Sequence, residues 1–148
     1  MSSVHERIIS QIMTTLAGAD GVTGRVWRDR SEAFARAELP ALCVYWEEAP
    51  LDPDTTCRGT WLIRVMVDIL VDGGPVGQVA DPIWCSVHSL LMADQTVGGH
   101  ASGIEPFPRS MGNTPAAKCE SVPGENQPGV LSTAWLVRTR TMIGDITQ

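Results

Sequence analysis

"WLIRVMVDILV", Trp61 to Val71, decides how this chain is read. Trp61, Ile63, Val65, Val67 and Ile69 alternate with Leu62, Arg64, Met66, Asp68 and Leu70. A period of two places the first set on one face of a β-strand and the second on the other. The first set is wholly apolar and predicts a core face. The second mixes apolar and charged residues, as expected for a face partly covered by solvent or by a neighbouring subunit.

The flanking segments extend this reading. Upstream, "ALCVYW" (Ala41–Trp46) is rich in strand formers, and Pro40 before it, having no backbone donor, marks a strand start. "GVTGRVWR" predicts a short strand interrupted by Gly24, and "DRSEAFARAE" is ambiguous, too short for a helix without tertiary support. Downstream, "VLSTAWLVRTRTMIG" predicts a closing strand, with Trp135, Val137 and Thr139 on one face and Leu136, Arg138 and Arg140 on the other. "IEPFPRS", with two prolines, predicts a short or edge strand.

Two segments have helical period instead. Val4, Ile8, Ile12 and Leu16 make one apolar stripe, Ser3 with Glu6 has the form of a capping box, and Gly18 is the expected stop. In "ADPIWCSVHSLLMAD", Asp81 is the expected N-cap and Pro82 the first helical residue, with Ile83, Val87, Leu90 and Leu91 as the stripe. No βαβ series appears. The pattern predicts a single α+β domain over residues 1–148, in two layers, with a mostly antiparallel sheet of four to five strands and two helices packed on one face. Residues 110–129 are too polar and broken for regular core structure and are expected to form a hairpin arm or a mobile loop.

Composition narrows the function. Apolar residues are 43% and charged residues 19% of 148, a globular balance. No run is long enough to span a membrane, and the charges His5, Glu6 and Arg7 break any signal-peptide core, so a soluble cytosolic protein is expected. A net charge of −6 argues against sequence-independent DNA binding, which depends on neutralising phosphates. Cys43, Cys57, Cys85 and Cys119 form no C-x-x-C pair and are expected to be reduced thiols, with Cys43 a small core residue.

The search for chemistry finds little. Cys85 and His88 lie three apart on the second helix and are the best catalytic pair on offer, with the margin of an amphipathic helix as the plainer reading. No zinc-protease, phosphate-loop or nucleophile-elbow motif occurs. Glu47, Glu48, Asp52 and Asp54 cluster in a proline-broken stretch without calcium-loop spacing, so a solvated acidic loop is expected rather than a metal site. No cofactor is expected. Arg25, Arg28, Arg30 and Arg36 form the basic cluster, either as solvated edge charge or as a surface that pairs with carboxylates of a neighbouring subunit.

The succession of "HERIISQIMTTLAG", "GRVWRDRSEAFARAELPALCVYW", "WLIRVMVDILV", "ADPIWCSVHSLLMADQTVGGHASGIE" and "LSTAWLVRTRT" resembles the tail terminator proteins of long-tailed bacteriophages, the family of the lambda-type minor tail protein U. "ELPALCVYW" and "LLMADQTVGG" are its most specific parts, and "PRSMGNTPAAKCESVPGENQPG" matches nothing in it. The resemblance implies a non-enzymatic virion protein at the head-proximal end of the tail, assembled in the host cytoplasm. It implies a ring, usually of six copies, that caps the tail tube, stops its polymerisation and offers the docking face for the head. The implied partners are other copies of the chain, the tail tube protein and a head–tail connector or neck protein, with DNA only passing through. The basic "RVWRDR" side and the acidic "EEAPLDPD" stretch are the candidate contact between subunits. Another neck or tail completion protein, a small cysteine-dependent enzyme using Cys85 and His88, and a DNA-binding accessory factor are the alternatives.

Overall fold

The computed structural model describes residues 1–30, 32, 34–54, 56–120 and 129–147. The elements are α1 (Val4–Leu16), β1 (Val26–Arg28), β2 (Ala41–Glu48), β3 (Leu51–Pro53), β4 (Arg58–Val71), α2 (Val76–Ala93), β5 (Gly103–Pro106), β6 (Ala117–Glu120) and β7 (Gly129–Met142), with short 3-10 turns at Arg36–Glu38 and Arg109–Met111. Among the described residues, seven strands form one open sheet in the order β1-β2-β4-β7-β5, with β3 also on β4 and β6 also on β7. All pairings are antiparallel except β1 with β2. The fold class is therefore the expected α+β, with more strands than the expected four to five. The additional pairings come from three- and four-residue strands, too short to leave a readable alternation.

β4 and β7 are the spine, paired without a break from Arg58↔Met142 to Val71↔Gly129. The alternation within β4 sorts its residues as expected. Ile63, Val65, Val67 and Ile69 are buried on the inner face, with Leu42, Val44, Leu131, Trp135 and Val137 from the neighbouring strands. The helices close over this face: Val4, Ile8, Ile9, Ile12 and Leu16 of α1 and Ala80, Ile83, Val87 and Leu91 of α2 belong to the same core. Each fully buried aliphatic side chain of this kind contributes about 1.5–3 kcal/mol relative to exposure. Trp135, 1% exposed, donates its indole N–H to Thr133 Oγ1 at 3.0 Å, and Thr133 in turn donates to the Val67 carbonyl at 2.8 Å, so these two buried donors are satisfied.

The outer face has only a small second cluster, Met66, Phe107, Ala134 and Leu136, with Tyr45, Leu62 and Met111 packed against it. No helix covers it.

Three local expectations are corrected. α2 begins at Val76 with Pro75 as N-cap, so Pro82 lies inside the helix and Asp81 is not its cap. Ala80 is fully buried and Val76 packs on the core, and that tertiary burial draws the preceding turn into the helix. α1 ends without a left-handed glycine: its C-cap is Ala17 in right-handed geometry, and the left-handed residues come later, at Gly21, Thr23 and Gly24. The capping box is half formed, since Ser3 accepts from the Glu6 amide at 3.3 Å while the Glu6 carboxylate turns to Arg28. Of residues 110–129, Ala117–Glu120 pair with β7 as β6, and 121–128 lie outside the described residues.

Candidate functional site

Local folding disperses the four arginines. Arg25 Nε donates to the Pro40 carbonyl at 2.8 Å, tying the start of β1 to the start of β2, next to the cis Leu39–Pro40 peptide. Arg28 forks onto Glu6 of α1, with Nη2 to Oε1 at 2.6 Å, and the guanidinium holds the Glu6 carboxyl below its usual range. Arg30 donates through both terminal nitrogens to Glu38, at 3.0 and 3.1 Å. Its guanidinium lies 4.7 Å from the Trp27 ring centre and 4.4 Å from that of Phe34, so two aromatic faces and a carboxylate hold it. The Arg36–Asp72 pair, at 3.3 Å, is the loosest, with the arginine side chain 74% exposed. Two of these arginines thus bond within the segment, Arg25 to Pro40 and Arg30 to Glu38, and two reach outside it, Arg28 to Glu6 and Arg36 to Asp72.

Three of the four acidic residues are likewise engaged. β2 has a bulge between Trp46 and Glu48, so Glu47 and Glu48 both reach Arg64 on β4, at 2.9 and 3.3 Å. Asp52 lies on β3, whose ladder with β4 replaces the expected loop and carries the acidic stretch as a hairpin. Asp54 accepts from the Thr56 amide and hydroxyl at 2.9 and 2.7 Å and pairs with Arg140. The Thr56 bonds and then Arg140 hold its carboxyl far below the ordinary range. Within one chain, therefore, the basic and acidic groups do not meet. They stand at separate places: Arg28, Arg30, Arg36, Glu47, Glu48 and Asp54 are in ion pairs, and Arg25 bonds a backbone carbonyl.

Sequence reasoning named Asp68 and Arg64 only as members of a mixed face. In the structure they are the polar centre of the outer face. Tyr45 donates to Asp68 Oδ2 at 3.1 Å, Ser132, opposite Asp68 on β7, is a second hydrogen-bonding neighbour of the carboxyl, and Arg64 Nε is buried without a hydrogen-bond partner among the described residues. Burial pushes the Asp68 carboxyl above its usual range. Two hollows, of about 290 and 340 Å³, meet at Tyr45 and Asp68. The readable signal was the charge at position 68, surrounded by valines, isoleucine and leucine in a strand otherwise built for burial.

Cys85 and His88 line a shallow depression on α2 with Asp81, Trp84 and Ser89. Both are exposed, no hydrogen bond joins them, and the His88 ring packs 5.5 Å from Trp135 instead. Cys43 is buried, as expected, while Cys57, Cys85 and Cys119 are exposed thiols. Among the described residues, no group of His, Cys, Asp or Glu is placed to hold a metal ion, and no helix is long and apolar enough to cross a membrane.

No protein-family model and no curated protein matches this sequence. A solved structure does: a chain of the virion of a native gene transfer agent particle has the same fold, with a TM-score of 0.51 over 95% of this chain and 100% of that one, at 11% identity.

Proposed function

We propose that this chain is a structural protein of a phage-like particle: a tail terminator, whose copies form a ring, six in number, on the head-proximal end of the tail tube. The observation that carries this reading is the end-to-end fold match with a chain of a gene transfer agent virion. The sequence resemblance to tail terminators points the same way. In this reading the chain is not an enzyme, needs no cofactor, and meets the tube protein on one side of the ring and a connector or neck protein on the other.

The chemistry on the surface is compatible with it. A ring uses heterologous contacts, in which one face of each subunit complements a different face of the next. Among the described residues no α-helix packs on the outer sheet face, and the edge strands of the sheet order are β1 and β5. The net charge of −6 leaves little cationic surface to trap passing DNA.

The test is tube assembly. Tube protein polymerised with this chain should give tubes that stop growing and do not resume when more tube protein is added. Tubes that elongate at the rate seen without it would reject termination. Binding to a completed tail without any effect on growth would point to a neck or completion protein.

A further inference from the structure

β5 and β6 are two halves of one edge strand. Both pair antiparallel with β7, β5 with residues 135–138 and β6 with residues 130–133. Ala134, between these ranges, serves both halves. Its carbonyl accepts from the Phe107 amide and its amide donates to the Ala116 carbonyl, each at 2.9 Å. This is a β-bulge in which the extra backbone is a whole loop, residues 108–115. The ladder resumes beyond the loop without losing a residue of β7.

The loop folds back over the outer face. Met111 packs on the cluster of Met66, Phe107, Ala134 and Leu136. Arg64 Nη1 donates to Thr114 Oγ1 at 2.5 Å. Among the described residues, no backbone hydrogen bond ties the loop to the sheet: its backbone bonds are internal, from Met111 to Pro108 and from Gly112 to Arg109. Pro108 and Pro115, at its two ends, have no amide to give to a ladder.

Closure also has a cost, and it falls on Arg64. This side chain, 19% exposed, is already paired with Glu47 and Glu48, and its guanidinium lies 5.8 Å from the Phe107 ring centre. Its Nε is buried without a hydrogen-bond partner among the described residues. A donor buried in that state is unfavourable.

We infer that residues 108–115 are a strap, latched by Arg64 through Thr114, that opens as a unit while the edge strand stays paired. Opening gives up one side-chain hydrogen bond and the Met111 contact, breaks no ladder bond, and lets water reach Arg64 Nε. Shut, the strap bars contact with Met66, Ala134 and Leu136; open, it presents them. It therefore controls access to the apolar part of the outer face. The inference stands on contacts within one chain and does not depend on the ring reading.

Alkylation of a probe beneath the strap tests it. Met66, 7% exposed, lines one hollow with Thr114 and Pro115, and Met66→Cys in the full chain places a thiol there. Cys43, also 7% exposed, lies on the same face opposite Asp68 but borders the hollow of Asp29, Arg30 and Phe34, and is the control. Peptide mass spectrometry reads the rate at each position, and circular dichroism checks the fold. At low reagent the rate follows the open population. In the Met66→Cys background, Thr114→Val should speed labelling at position 66 at least ~fivefold, as loss of a hydrogen bond to a charged group implies, and leave Cys43 unchanged. Thr114→Ser, which keeps the hydroxyl, should label at the parent's rate. Replacing residues 108–115 by Gly-Gly should leave a folded chain in which position 66 labels faster still. An unchanged rate in Thr114→Val, equal acceleration at position 66 and Cys43, or a chain that does not fold without the strap overturns the inference.

Discussion

His5 of α1 stands edge-on against Trp61 of β4, with ring centroids 4.9 Å apart, and the exposed Trp46 ring lies 5.6 Å from it. His5 is only 7% exposed, and burial holds its imidazole below the ordinary value despite the Glu6 carboxylate beside it. The sign follows from linkage. The unfolded imidazole takes its proton near 6.5, and the folded one only at lower pH. The contribution to stability is therefore complete above about pH 6.5 and declines as pH falls from there toward the folded value. Denaturation midpoints of wild type should fall between pH 7.5 and 5.5 by more than those of His5→Gln. Equal falls would place the acid sensitivity elsewhere.

Asp68 predicts the opposite slope. Its folded carboxyl keeps its proton to a higher pH than the unfolded one, so ionising it in the folded chain costs stability as pH rises past about 3.8 through the folded value. Asp68→Asn should thus raise monomer stability at neutral pH, with the gain disappearing in acid below that window. A destabilised monomer at pH 7 would mean that the carboxylate is better satisfied in the single chain than its geometry indicates.

Much of this architecture was legible in the sequence, and the limits have physical causes. β4 and β7 were readable because one face of each is buried, which forces strict alternation in Ile63, Val65, Val67 and Ile69. α1 was readable from its four-residue stripe. β3 and β6, at three and four residues, lie on the rim, where solvent imposes no pattern. The start of α2 was misplaced because Asp81-Pro82 has the form of a helix start, and the burial of Val76 and Ala80 overrides it. The charged clusters were readable as residues along the chain. Their intrachain partners, such as Glu6 for Arg28 across 22 positions, carry no local signature. Asp68 drew no attention because a single charge on a mixed face looks solvated until its neighbours are known.

The junction of α2 with β7 gives a packing test. A Cβ placed on Gly129 would lie 2.3 Å from Val76 Cγ2, so the first turn of α2 rests directly on that glycine. Gly129→Ala should cost about 1–3 kcal/mol by overpacking. Adding Val76→Ala should recover part of the loss, a coupling that a double-mutant cycle reads from four denaturation curves. Strictly additive effects would mean that the two residues do not meet.

Thiol chemistry separates the structural reading from an enzymatic one. Native protein should label quickly at Cys57, Cys85 and Cys119 and slowly at Cys43, whose thiol is raised by burial. Cys85 should react at a rate comparable to those of Cys57 and Cys119. A Cys85 rate far above theirs that falls in His88→Ala would reveal an activated nucleophile.

Electron microscopy of the purified chain mixed with tail tubes tests the central claim most directly. The account predicts a ring of density at one end of each tube, with tube lengths unchanged by further tube protein. Bare ends on every tube, or tubes that continue beyond the ring, would contradict it.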